Sequence, residues 1–410
     1  MIILKYKNKT RKEDDNMDTN EQLLIIKKGV DVLINEEELK EKLNSGRQLI
    51  VKLGLDPSAP DIHLGHTVVL RKAKQLQDLG HKVVIIIGDF TGKIGDPTGK
   101  SKTRKPLTDE QVKENAKTYC EQIFKILDKE KTEVRFNSEW LGKMTFEDVI
   151  KLAASTTVAR MLERDDFNTR FTNKTSIGLH EFFYPLMQGY DSVAIKADIE
   201  LGGTDQTFNV LMGRQLQKDN EMEQQIALFM PIIEGTDGIN KMSKSLNNYI
   251  GVNEPSEIMF KKCMEIPDNL IIRYYELLTD VHPNQINEIK KELENGKNPR
   301  DVKFELAKTI TRLYHSEKEA IAGEQFYIQA FSKKAIPDDI PELTINKDTL
   351  VEIIPDIVKN NFITSGGEFR RMLKQNGIQL NGEKINDINT ILKDNDVLKI
   401  GKKKFLKIRK

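Results

Sequence analysis

Leu49-Ile50-Val51-Lys52-Leu53 leads through Asp56-Pro57-Ser58-Ala59-Pro60-Asp61 into His63-Leu64-Gly65-His66, and the stretch closes at Val83-Val84-Ile85-Ile86-Ile87. The first five residues read as a strand, and Asp56 to Asp61 as a loop. Beyond the histidines, Leu70, Ala73, Leu76 and Leu79 recur at the spacing of one helical face. Gly80 stands where a helix C-cap belongs. Val83 to Ile87 is apolar without alternation, as a parallel strand buried on both faces requires. Strand, loop, helix and second strand together open a doubly wound nucleotide-binding fold.

The 410 residues are enough for two or three domains, and a 38% hydrophobic share supplies their cores. Charged residues at 31% and a mean hydropathy of −0.50 mark a soluble chain. No apolar run nears the roughly 18 residues of a membrane helix, so no membrane partner is expected. With a net charge of +1, any nucleic-acid affinity must come from a local patch. Cys120 and Cys263 match no zinc spacing and suggest inert thiols in a reducing, cytoplasmic setting; no metal ligand set is expected.

Met1 to Asn16 is densely charged and has no apolar core of signal-peptide length. Residues 1–20 read either as a disordered tail or as a mis-assigned start, with Met17 opening the first helix. Residues 21–265 are expected to form the α/β domain, with helices around a strand at Glu133–Phe136 and further strands at Ser192–Ile199 and Ala227–Ile233. Residues 266–335 read as a helical domain. Pro337 and Pro341 among acids give 336–348 a linker composition. Residues 349–410 form a separate module. It has a short basic helix at Gly366–Leu373 and a strand entering the turn Asn381-Gly382. The acid-free run from Lys399 to Lys410 ends it.

Several residues carry chemistry. Gly65 permits close approach of backbone to a phosphate, and a helix N-terminus adds N–H groups and a positive dipole end. His63 and His66 can both donate to an α-phosphate; an ordinary or metal-binding pair has the same spacing, though the zinc-protease Glu is missing. Lys241-Met242-Ser243-Lys244-Ser245 follows the turn pair Asp237-Gly238. Its two ammonium groups can follow charge onto departing phosphates, whereas a solvated lysine pair is the plain alternative. Thr91 to Lys100 is a glycine-rich loop at a strand's C-terminal end, where open α/β sheets bind ligands. There Asp96 can hold an ammonium group, and Lys100 and Arg104 can reach phosphate; a basic surface loop is the alternative. On a helix, Tyr184, Gln188 and Asp191 share one face, which can read a small polar ligand or lie half-buried. Gly202-Gly203-Thr204-Asp205-Gln206 offers an acid for ribose hydroxyls, or a turn.

The histidine stretch is similar to the HIGH pattern of class I aminoacyl-tRNA synthetases, and the lysine loop is a full KMSKS match. With Gly54-Leu55-Asp56-Pro57-Ser58 before the histidines, the chain from about Met17 to Lys410 resembles the bacterial tyrosyl-tRNA synthetases. The resemblance implies an α/β fold: a Rossmann-like parallel sheet catalytic domain, then a helical domain and a small α+β RNA-binding domain. It implies ATP as substrate with Mg²⁺ bound alongside, L-tyrosine and tRNA(Tyr) as partners, and a homodimer. Asp56, Ser58, His63, Gly65 and His66 would contact ATP. Thr91, Asp96, Tyr184 and Gln188 would hold the tyrosine ammonium, Asp191 would accept from the phenol, and Gln206 would position the amino acid. Gly203 and Asp205 would bind ribose. Lys100, Arg104, Lys241, Lys244 and Ser245 would stabilise departing pyrophosphate, with Lys244 also on ATP. Arg370, Arg371, Lys402, Lys403 and Lys404 would grip RNA. Where the better-known subgroup has a tyrosine that touches the substrate hydroxyl, this chain has Lys52. Either Asp191 works through a water, or Lys52 pairs with Asp191 and tunes it. A tryptophan enzyme, an RNA-binding protein without catalysis and a small-molecule nucleotidyltransferase are the competing readings.

Overall fold

The computed structural model describes residues 17–56, 62–95, 109–332, 340–401 and 404–410, with backbone alone for 109–113 and 330–332. Residues 1–16, Ser58, Asp96, Lys100, Arg104, Lys402 and Lys403 lie outside the described residues. The chain divides into two compact units, one reaching Glu324 and one starting at Gln325.

The first unit is built on strands β1 (Val32–Ile34), β2 (Ile50–Leu55), β3 (Lys82–Ile87), β4 (Thr132–Phe136), β5 (Ile199–Gly203) and β6 (Ile226–Met230). Their order is β1-β6-β5-β2-β3-β4. Five of these strands pair in parallel, while the edge strand β1 runs antiparallel to β6, so the expected parallel sheet is a mixed one. Val83, Ile85 and Ile87 are wholly buried, which is why β3 has no polar alternation. The helix Leu64–Asp78 joins β2 to β3, with His63 as its N-cap and Leu79 as its C-cap. Gly80 follows at φ +99, a conformation a side chain would oppose. From β2 the chain moves outward to β3 and β4, then returns past β2 to place β5 and β6 on its other side. The order therefore reverses between β2 and β5, and a crevice opens at the C-terminal ends of those strands.

The strand expected over Ser192–Ile199 is displaced. Ser192 to Ala194 completes the helix Phe183–Ala194, Lys196 turns at φ 53, and β5 begins only at Ile199. Leu186 packs with Met212 and Leu216 of the helix Thr207–Asp219, and Val193 joins that cluster. Gly189 allows the close approach, since a Cβ there would lie 3.1 Å from the Gly213 nitrogen. Helix packing thus overrides the β preference of Val193 and Ile195.

After Ile266 the chain is helical, with Ile271–Leu278, Pro283–Glu294, Pro299–Tyr314 and Glu317–Ser332, the last of which includes both Glu324 and Gln325. Pro283 and Pro299 each open a helix, where a missing N–H costs nothing.

The second unit has strands β7 (Glu342–Thr344), β8 (Ile378–Leu380), β9 (Glu383–Lys384), β10 (Val397–Ile400) and β11 (Lys404–Arg409) in the order β7-β11-β10-β8-β9. Helices Leu350–Lys359 and Gly366–Lys374 supply Ile353, Ile357 and Phe369 to a core shared with Leu398, Leu406 and Ile408. Asn381 and Gly382, at φ 51 and φ 91, make the expected hairpin turn from β8 to β9. Among the described residues, no helix is long and apolar enough to cross a membrane.

Candidate active site

A cavity of about 650 Å³ lies at the crevice. Each of the five parallel strands leads into it: Asp56 follows β2, Gly88 and Thr91 follow β3, Asn137 follows β4, Asp205 and Gln206 follow β5, and Pro231 to Ile233 follow β6. His63, Gly65 and His66 enter from the start of the helix Leu64–Asp78, and Tyr184, Gln188 and Asp191 from one face of Phe183–Ala194. Lys241, Met242 and Ser243 close the list of loop contributions. Most of the residues singled out in the sequence therefore line one cavity, Gly203 included. Lys244 and Ser245 do not line it; both are exposed, Lys244 with its Nζ 5.9 Å from the Tyr249 ring and Ser245 bonded to the Ser243 hydroxyl at 2.9 Å.

The histidines are locked by backbone. Gly65 N–H donates to His63 Nδ1 at 3.1 Å, and His63 N–H donates to His66 Nδ1 at 3.3 Å. The rings stack with centroids 3.9 Å apart. Burial, then the neighbouring His66, then Lys244 push His63 down to about 3. Burial and Lys244 push His66 down to about 4. Both rings are neutral at pH 7, and because each Nδ1 accepts, each proton sits on Nε2. The pair thus presents neutral N–H donors beside a helix N-terminus.

The lysine loop is tied to that same terminus. Gly65 N–H also points at Met242 Sδ, 3.2 Å away. Asn248 holds the loop's backbone, accepting from Ser243 N–H at 2.8 Å and donating to the Lys241 carbonyl at 3.1 Å. The turn ahead of it has Gly238 at φ +72.

At the other end of the cavity, Asp56 accepts from Thr91 Oγ1 at 3.2 Å and from the Tyr184 hydroxyl at 2.8 Å. Its carboxylate thus sits among the groups read as ammonium ligands, although the resemblance assigned it to ATP. Asp191 is buried; it accepts from Trp140 Nε1 at 2.8 Å and from Asn137 Nδ2 at 3.4 Å. Burial raises its carboxyl to about 7, against the lowering pull of Lys52, Trp140 and Asn137. Asn209 donates to Gln188 Oε1 and Gln206 Oε1, each at 3.0 Å, and so fixes two amides with one side chain.

Lys52 does not pair with Asp191. Its ammonium lies 2.9 Å from Glu200 Oε1, the residue opposite it in the β2–β5 register. Register explains the choice: side chains opposite each other in paired strands share one sheet face.

Sequence reasoning missed Asn137, Trp140, Asn209 and Asn248. Two carried a signal: Asn137 directly follows a strand, as Asp56 does, and Asn209 lies three residues after Gln206. In the second unit, Arg370 and Arg371 are exposed on the helix Gly366–Lys374. Lys404 instead donates to the Phe362 carbonyl at 2.8 Å. Among the described residues, no group of three or more His, Cys, Asp or Glu side chains is placed to hold a metal ion.

Comparison with known proteins adds the family. Residues 44–332 match the model for tRNA synthetases class I (W and Y), and residues 332–410 match the tyrosine–tRNA ligase SYY-like C-terminal domain. Tyrosine–tRNA ligase 2 of Clostridium acetobutylicum is 60% identical over 395 residues, covering 95% of this chain and 98% of that one. The tyrosine–tRNA ligase of Carboxydothermus hydrogenoformans is 59% identical over 399 residues, covering 94% and 97%. The crystal structure of a tyrosyl-tRNA synthetase complexed with L-tyrosine from Archaeoglobus fulgidus shares the fold, with a TM-score of 0.62 at 24% identity over 75% of this chain and 100% of that one. With matches spanning both units at this identity, the chain belongs to the bacterial class I tyrosyl-tRNA synthetases, ATP-dependent tyrosine–tRNA ligases.

Proposed function

We propose that the cavity activates L-tyrosine with ATP to tyrosyl-adenylate and pyrophosphate, and then passes tyrosine to the 3′ end of tRNA(Tyr). The observation that carries this reading is the buried Asp191, braced by Trp140 and Asn137, in the same cavity as the stacked histidines. Asp191 accepts from the phenolic hydroxyl. Asp56 supplies negative charge for the α-ammonium group, with Thr91, Tyr184 and Gln188 around it and Asp96 completing the set. Gln206 positions the amino acid near its carboxylate. Gly203 and Asp205 take the ribose.

The tyrosine carboxylate is ionised at pH 7 and needs no general base. It attacks the α-phosphorus in line, and pyrophosphate leaves. Catalysis is then positioning plus stabilisation of moving charge. His63 and His66 donate through Nε2, with Gly65 and Ser58 beside them. Lys241, Lys244 and Ser245, with Lys100 and Arg104, follow the charge onto pyrophosphate. Mg²⁺ bound with ATP would offset the charge of the triphosphate. In the second step the terminal ribose hydroxyl attacks the carbonyl and AMP leaves.

Arg370 and Arg371, with Lys402, Lys403 and Lys404, are the RNA-contacting set, gripping phosphates rather than bases. The reading of a homodimer is supported by the exposed apolar side chains Phe146, Ile150, Val158, Phe171 and Leu179, which a partner surface would cover. The setting is the cytoplasm.

The Asp191 assignment is tested with Asp191→Asn. The ratio of kcat/KM for tyrosine over phenylalanine should fall on the order of 10- to 100-fold, as expected when a buried hydrogen bond worth about 1–3 kcal/mol is lost. An unchanged ratio in the folded variant would remove Asp191 from the reading of the hydroxyl.

A further inference from the structure

Close to Asp191 lies a buried ion pair with no part in the reaction as described above, and its carboxylate, Glu200, borders the cavity. Lys52 of β2 and Glu200 of β5 are 0% and 1% exposed, and they are register partners at the point where the strand order reverses. Lys52 Nζ reaches Glu200 Oε1 at 2.9 Å, the Gln188 carbonyl at 2.8 Å and Ser192 Oγ at 2.8 Å. Its three protons thus have three acceptors. Glu200 Oε2 accepts from Ser192 Oγ at 3.0 Å and from Gln225 Nε2. Gln188 and Ser192 stand on either side of Asp191 on its helix, so the network grips that helix at the specificity carboxylate. Apolar residues of equal volume would fill the space without the desolvation penalty of two charges.

We infer that Lys52 and Glu200 are positioning residues that set how readily Asp191 accepts a hydrogen bond from the substrate hydroxyl, and thereby set tyrosine selectivity. The inference rests on Asp191 as the reader of that hydroxyl. The charged groups acting on Asp191 are Lys52, whose cation favours the carboxylate, and Glu200, whose anion opposes it. Trp140 and Asn137 bond it directly, and Thr91 reaches it through Asn137. From the helix Thr207–Asp219, Asn209 bonds Gln188, and Gln217 bonds the Ser192 carbonyl. Asp56 is engaged by Thr91 and Tyr184. The two members of the pair push in opposite directions, which gives the proposal a signature that packing alone cannot produce.

The experiment measures KM for tyrosine and kcat in ATP–pyrophosphate exchange between about pH 5.5 and 8.5, on the full chain. The variants are Lys52→Met, Glu200→Gln, the double variant and Asp191→Asn. Lys52→Met leaves the Glu200 anion close to Asp191 and should move the acid limb of the KM profile to higher pH, by about one pH unit. Glu200→Gln should move it to lower pH, and the double variant should return it toward the parent, with kcat at saturating tyrosine little changed in these three variants of the pair. Shifts in the same direction, or none, would overturn the inference. If Lys52→Met fails to fold, the downward shift of Glu200→Gln and its reversal in the double variant still decide the question. Asp191→Asn separates the two readings. If it keeps both the limb and the tyrosine preference, the assignment of Asp191 falls; if it loses them while the pair variants move nothing, only this inference falls.

Discussion

At the scale of single residues, charge state divides the site into two halves. His63 and His66 are held neutral, at about 3 and about 4, so neither titrates in the working range. Asp191 is raised to about 7 and does. For a carboxyl raised in this way, the ionised acceptor is present above pH 7 and is lost as pH falls through it. Tyrosine affinity should therefore weaken toward acid with a limb near pH 7, and Asp191→Asn should abolish that limb, measured as KM against pH. A limb that survives Asp191→Asn would assign the titration elsewhere. Lys244→Ala should slow adenylate formation by about 2.7–4 kcal/mol, the usual size of a lost donor to developing charge, with tyrosine affinity nearly unchanged. Single-turnover adenylate formation together with equilibrium dialysis of tyrosine checks both halves of that statement. The histidines and the lysine loop were legible because their chemistry is local in sequence. Tyr184, Gln188 and Asp191 were legible through helical spacing. Asn137, Trp140 and Asn209 were not, since each acquires a role only when separate elements meet. Lys52 was noticed, but its partner Glu200 emerges only from strand register.

At the scale of elements, β2 and β3 end in step, so that Asp56 and Gly88 leave the sheet side by side. A Cβ on Gly88 would run into the Asp56 carboxylate and the Thr91 hydroxyl. Gly88→Ala should therefore raise KM for tyrosine, with a cost of about 1–3 kcal/mol typical of overpacking. Steady-state exchange at varied tyrosine reads this, and an unaltered KM would mean that the Asp56–Thr91 contact does not shape the ammonium site. β3 and the helix before it were readable because burial on both faces and one apolar stripe leave plain patterns. The segment Ser192–Ile199 misled because Val193 and Ile195 suit a strand locally, while packing on Met212 and Leu216 keeps the helix going through Ala194. The antiparallel edge β1 has only three residues, too few to show a period.

At the scale of the whole molecule, composition misplaced the start of the second unit: Leu343 and Ile345, in the stretch read as a linker, belong to its core. The second unit has its own core, from Leu343 to Ile408. Ending the chain at Ser332 should spare adenylate formation and weaken tRNA charging, measured as aminoacylation against pyrophosphate exchange on the same preparation. Equal loss of both would tie the second unit to the catalytic site. Phe146, 81% exposed, is the most exposed apolar side chain of the segment proposed above as a dimer contact. If the proposed homodimer forms through it, Phe146→Asp should shift sedimentation toward monomer; an unchanged dimer would place the contact elsewhere, and a monomeric parent would remove the dimer. If one cavity joins a tyrosine-reading carboxylate to an ATP-activating helix terminus, its amino-acid preference is fixed at the activation step. ATP–pyrophosphate exchange with tyrosine, tryptophan and phenylalanine supplied in turn tests it most directly. Exchange with tyrosine and only trace exchange with the other two is expected, whereas exchange led by tryptophan, or none from folded protein, would overturn the tyrosine assignment.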